Sequence, residues 1–172
     1  MAMSRLKIVV SDSSVVMDLA KVRLIEPDLK LPFEFMIPDV ILAQELLDLG
    51  AYTAKGLLDL GFVQGELDGG NSRQARNYFA KCRSLSLNDC FAWRLAEVHK
   101  AILMTGDANL RTIATAAKVE VHGMLWAVEM MLKHKTSPAA ALAKALDHLG
   151  SDPLVRLPPA ETQALRDQLR TA

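Results

Sequence analysis

The chain has 172 residues, 51% of them hydrophobic, and its 20 basic and 20 acidic side chains cancel. That length suits one domain with at most a short appended element, and that much apolar material excludes wholesale disorder. A net charge of zero excludes a global basic field, so any nucleic-acid contact must come from a local patch. Cys82 and Cys90 form no CxxC pair, and His99, His122, His134 and His148 show no ligand spacing around them, which argues against a zinc site or a disulfide framework. The opening MAMSRLKIVVSDSS has too short an apolar run for a signal peptide, and no stretch approaches the ~18–20 apolar residues that span a bilayer. A soluble cytoplasmic protein with no membrane partner is expected.

In chain order, Leu6–Ser11 (LKIVVS) is an apolar, β-branched run of the kind buried on both faces of a parallel sheet. A helix over Ser13–Lys21 follows. Phe33–Ile37 (FEFMI) alternates and ends at Pro38, marking a second strand, and Asp39–Leu49 reads as a helix with an acid at its start. Gly61–Leu67 is a third strand. Helices are expected over Asn71–Arg83 and over Ser86–Lys100, the latter capped by Ser86 or Asn88. Ala101–Thr105 (AILMT) is a fourth strand, Ala108–Lys118 a helix, Val119–His122 a short fifth strand and Gly123–Lys133 a helix. Ser137 and Pro138 open a helix over Ala139–Leu149, and Pro158–Pro159 precede a last one over Ala160–Leu169. Strands alternating with helices predict a three-layer α/β/α fold around a central, mostly parallel sheet of four to five strands, with added C-terminal helices. The expected division is residues 1–135 for that domain and 136–172 for a helical appendage that packs on the domain or on a second subunit.

Open parallel sheets bind ligands outside the carboxyl ends of their strands. Asp12 directly follows the first strand and Asp107 the fourth. An Asp in either place alone is ordinarily a helix N-cap, but two at equivalent strand ends suggest a shared site. Asp89 lies near the start of its helix on the side opposite the stripe Leu87, Phe91, Leu95 and Val98, among Ala92, Trp93 and Ala96. In such apolar surroundings it must cap the helix, pair, or bind a metal. Two carboxylates ~4–5 Å apart repel by about 3–4 kcal/mol at an effective dielectric near 20. A cluster of them therefore calls for a cation, and hard oxygen ligands suit Mg²⁺ or Mn²⁺.

The pieces IVVSDSSVVMDLAK (8–21), IPDVILAQELLD (37–48), SLSLNDCFAWRLAE (84–97) and ILMTGDANLRTIA (102–114) resemble, in order and spacing, the PIN-domain family, which includes the VapC-type toxins. The resemblance covers roughly residues 5–133. It implies a Mg²⁺- or Mn²⁺-dependent endoribonuclease cutting single-stranded RNA, with homodimers common and the toxins held inactive by an antitoxin. Carried over by position, Asp12, Asp89 and Asp107 become catalytic metal ligands, with Ser13 helping to orient water and Thr105 supporting the last acid. At the second acidic position relatives carry Glu, where this chain has Gln44 followed by Glu45. A one-residue step turns a side chain ~100° around a helix. Either the helix starts a residue late and Glu45 is the catalytic acid, or Gln44 stands there as a neutral ligand.

Arg73, Arg76, Lys81 and Arg83 give their helix a basic face: a track for RNA phosphates, or a solvated surface. Arg111, one turn after Asp107, is placed to meet a phosphate or to pair with a site acid. Two rivals stand beside the nuclease. A degenerate PIN domain would bind RNA or protein without cutting. A phosphatase of the haloacid dehalogenase type also begins strand–Asp, but it needs a second Asp where this chain has Ser14.

Overall fold

The structure, a computed structural model, describes residues 6–46 and 49–172. The elements in order are β1 (Lys7–Ser11), α1 (Ser13–Lys21), α2 (Ile25–Leu29), β2 (Phe33–Pro38), α3 (Asp39–Gln44), α4 (Ala54–Leu60), β3 (Val63–Gly65) and α5 (Gly69–Lys81). They continue with α6 (Leu87–His99), β4 (Ile102–Met104), α7 (Ala108–Ala116), β5 (Val121–His122), α8 (Met124–His134), α9 (Ala139–Ser151) and α10 (Pro159–Thr171). All five strands are parallel, in the order β3-β2-β1-β4-β5. The three-layer α/β/α reading of the sequence is the observed architecture.

The central strands are apolar because both faces are covered. Val9 and Val10 point to opposite sides of β1, and both are fully buried. Helix α6 lies across β1, β2 and β4 with α5 behind it, while α1, α2 and α8 pack together as the other helical layer. Gly65 at the end of β3 is required by close approach: a Cβ there would lie 2.5 Å from Leu95 and 2.7 Å from Met36. Helix α9 buries Leu142, Ala145, Leu146 and Leu149 in the same continuous core and packs on α8, with α10 closing over both.

Several expectations need correction. Helices α2 and α4 were not read from the sequence; Pro27 and Gly56 each stand third in their helix, in the first turn, where no intrahelical bond is lost, and the Gly56 N–H is capped by Thr53 Oγ1 at 3.0 Å. Helix α3 stops at Gln44 with Glu45 as its C-cap, and the expected continuation toward Leu49 runs through residues 47–48, outside the described residues. The buried face of α6 is centred on Cys90, Ala92, Trp93, Leu95 and Ala96, while Leu87 and Val98, assigned to its stripe, are exposed. The N-cap of α6 is Ser86; Asn88 lies within the first turn.

Candidate active site

The chain leaves β1 toward β2 on one side and returns as β4 on the other. A crevice therefore opens between the carboxyl ends of β1 and β4. Asp12 stands there, and its backbone N–H donates to the Met104 carbonyl at 2.9 Å, tying the two strand ends together. Its side chain is only 3% exposed. Oδ1 accepts from the Ser13 N–H at 2.8 Å, and Oδ2 accepts from the Thr105 hydroxyl at 2.9 Å and the Ser14 hydroxyl at 3.1 Å. Both hydroxyls also accept from the Thr105–Asp107 loop: the Gly106 N–H donates to Ser14 Oγ at 2.9 Å, and the Asp107 N–H to Thr105 Oγ1 at 3.0 Å. Burial raises the Asp12 carboxyl to about 6; the Thr105 hydrogen bond opposes that rise, and the negative charge of Asp89 adds to it.

Asp107 is the N-cap of α7, its Oδ1 accepting from the Leu110 N–H at 2.7 Å. Asp89 forms a reciprocal capping box with Ser86: its backbone N–H donates to Ser86 Oγ at 3.0 Å, and its Oδ2 accepts from the Ser86 N–H at 2.6 Å. Half-buried, Asp89 is raised chiefly by burial, then by the charges of Asp107 and Glu45. Glu45 is half-buried and accepts a hydrogen bond from the Asn88 amide, while Gln44 beside it is exposed. Electrostatically, Asp89 links the other three acids.

These carboxylates are neighbours, yet three of them are turned back onto their own helix starts. Among the described residues no three acidic, histidine or cysteine side chains converge closely enough to hold a metal ion. The tight three-aspartate cluster expected from the sequence is therefore not preformed. The donor set still fits a hard, hydrated cation. Asp89 Oδ1 and Asp107 Oδ2 carry no hydrogen bond among the described residues, and Mg²⁺ commonly takes one or two carboxylates and keeps water for its other positions. No side chain forms an ion pair with Asp12, Glu45, Asp89 or Asp107 among the described residues.

Arg111 does not pair with a site acid. Its guanidinium donates to the Thr105 carbonyl at 3.3 Å and lies over Gly123, where a Cβ would overlap it. Arg73 and Arg76 are exposed on α5 and form no ion pair among the described residues.

A family model described as "DUF3368: PIN domain" matches residues 8–170. The chain belongs to the PIN-domain family. PIN domains are typically nucleases, and the match runs through α9 and most of α10. In fold, this PIN domain is similar to a PilT N-terminus domain protein from the hyperthermophilic archaeon Sulfolobus solfataricus P2. That match has a TM-score of 0.54 at 16% identity and covers 74% of this chain and 95% of the other. No curated protein matches the chain. Among the described residues of this PIN domain no helix is long and apolar enough to cross a membrane.

Two site residues escaped the sequence reading. Ser14, not Ser13, offers its hydroxyl to Asp12, whereas Ser13 contributes its backbone N–H. A second hydroxyl in the DSS run was the available signal. Asn88 had none, because its partners lie 43 and 44 residues away in sequence.

Proposed function

We propose that this PIN domain is a Mg²⁺- or Mn²⁺-dependent endoribonuclease that cuts single-stranded RNA at the carboxyl edge of β1 and β4. One observation carries the reading. Asp12, buried at the switch in strand order, feels the charge of Asp89, which in turn feels Asp107 and Glu45, and among the described residues no cationic side chain forms an ion pair with any of them. Four acids left unpaired around one crevice favour a divalent ion. When bound, that ion polarises the phosphate and acidifies water in its shell.

The residues divide the remaining work. Asp12, Asp89 and Asp107 hold the ion. Thr105 and Ser14 donate to Asp12 Oδ2, which favours its ionised form and fixes its orientation. Glu45 completes the acid set beside Asn88. Arg111, anchored through one N–H to the Thr105 carbonyl, keeps further donors for a phosphate, and Arg73 and Arg76 extend the basic path along α5. A toxin held by an antitoxin, or a homodimer, is a special case of this reading; a neighbouring gene for a small DNA-binding protein would support the former.

The test is cleavage of a labelled single-stranded RNA by the full chain. Cleavage with Mg²⁺ or Mn²⁺ that chelator abolishes, and that folded Asp12→Asn and Asp107→Asn lose, is the expected result. Undiminished cutting by both variants would overturn it. The second reading, a PIN domain that binds RNA without cutting, draws on the absence of three converging ligands among the described residues. It predicts RNA binding with no metal-dependent cleavage.

A further inference from the structure

We propose that Asn88 is a positioning residue that clamps Glu45, and not Gln44, beside Asp89. The proposal rests on the nuclease reading above and names how this chain fills the one acidic position where its sequence departs from its relatives. Six residues after Pro38 stands Gln44, and the acid comes one residue later.

The offset is not absorbed where the sequence suggests. Helix α3 begins at Asp39, directly after Pro38, so it does not start late. Its other end closes in the ordinary way. The Glu45 and Leu46 N–H groups both close on the Ile41 carbonyl, at 2.9 and 3.1 Å, and the same five-residue closure ends other helices of the chain, as at Ala101 on Ala96 and Thr136 on Met131. From that helix end, oxygens of both Gln44 and Glu45 reach the same Asn88 amide.

Chemistry chooses between them. The bond from Asn88 Nδ2 to Glu45 Oε1 is charge-assisted, while that to Gln44 Oε1 joins two neutral groups at 3.3 Å, at the weak end of the range. A carboxylate only accepts, so Glu45 also fixes which way the Asn88 amide faces. Exposure agrees: Glu45 is half-buried and Gln44 exposed. Asn88 and Asp89 both lie in the first turn of α6, so a side chain held on the Asn88 amide is held at the helix end that carries Asp89. The charge of Glu45 is indeed felt by Asp89.

Two measurements test this on the full chain. In urea unfolding, double-mutant cycles pair Asn88→Ala with Glu45→Ala and, separately, with Gln44→Ala. The expected coupling to Glu45 is at least fivefold in the unfolding constant, and to Gln44 under twofold. In RNA cleavage, Asn88→Ala lowers kcat about tenfold with KM little changed, a loss typical of an outer-shell partner. Adding it to Glu45→Ala costs nothing more, Asn88→Asp is no better than alanine, and Gln44→Ala costs under twofold. Equal or stronger coupling to Gln44, or a Gln44→Ala loss matching that of Glu45→Ala, would overturn the clamp. If the unaltered chain cuts no RNA, the nuclease reading fails and the urea cycles still decide the clamp.

Discussion

Asp12, at the carboxyl edge of β1, and Asp28, in the short helix α2, are both buried, and their surroundings treat them differently. Asp28 is fully enclosed, and neither of its carboxylate oxygens has a hydrogen-bond partner among the described residues. Burial alone pushes its pKa up to about 8. Asp12 is enclosed almost as completely, yet three donors meet its oxygens and its pKa is raised only to about 6, despite the nearby charge of Asp89. The contrast shows what separates a buried acid kept for use from one merely kept. Donors make the charge tolerable at Asp12; their absence leaves Asp28 protonated at neutral pH.

The largest expected effect lies at the first of these acids. Asp12→Asn should lower RNA cleavage by on the order of 10²-fold or more. Its thermal unfolding at pH 7 should be no less stable than the parent's. The reason is linkage: the folded pKa of Asp12 lies above that of an ordinary aspartate, so its favourable contribution is full below about pH 4 and lost as pH rises through about 6. A variant that loses activity because it unfolds early would break the contrast.

Next comes the second acid. With a folded pKa near 8, Asp28 contributes fully below about pH 4 and progressively less as pH rises through about 8. Asp28→Leu, which replaces a buried acid by an apolar side chain, should stabilise the protein by about 1–4 kcal/mol at pH 8–9 and much less at pH 4. Urea midpoints across that range decide it. A variant less stable than the parent at pH 8 would mean that Asp28 has a partner after all.

Smaller effects sharpen the account of the Asp12 side. Arg111→Ala should weaken RNA binding several-fold and reduce the salt slope by ~0.7, the value for one phosphate contact on a single strand. Binding titrations at several salt concentrations test this. Smallest is Gly123→Ala. The added methyl overlaps the Arg111 guanidinium, the flexible end of a long side chain, and comes within 3.3 Å of the Thr105 carbonyl, so a shift of a few tenths of an ångström accommodates it. The melting temperature should therefore move little while RNA binding falls toward that of Arg111→Ala.

Much of the scaffold was legible in advance. LKIVVS announces a parallel strand buried on both faces, the alternating FEFMI and the apolar AILMT announce two more strands, and Ser86, Asp12 and Asp107 sit where helix starts want capping side chains. Helices α2 and α4 were hidden by Pro27 and Gly56, which read as breakers along the sequence but fall in the first turn of each helix, where neither interrupts an intrahelical hydrogen bond. The site was legible as a set of residue types at strand ends, but not as a geometry. Whether an Asp caps its own helix or turns to its neighbours depends on distances across the sheet, and spacing along the chain does not encode them.

The apolar periodicity of this chain was enough to dictate parallel strands, their alternation with helices and the strand ends at which its acids would stand, because burial on a sheet face is a local and repetitive demand. Tertiary structure alone decided that Thr105 braces Asp12, that Asp28 has no hydrogen-bond partner among the described residues, and that Asn88 reaches Glu45. Those are matters of which side chains meet across 43 or 93 residues of sequence. Hydrogen bonds are short and directional, so only the folded chain can choose their partners.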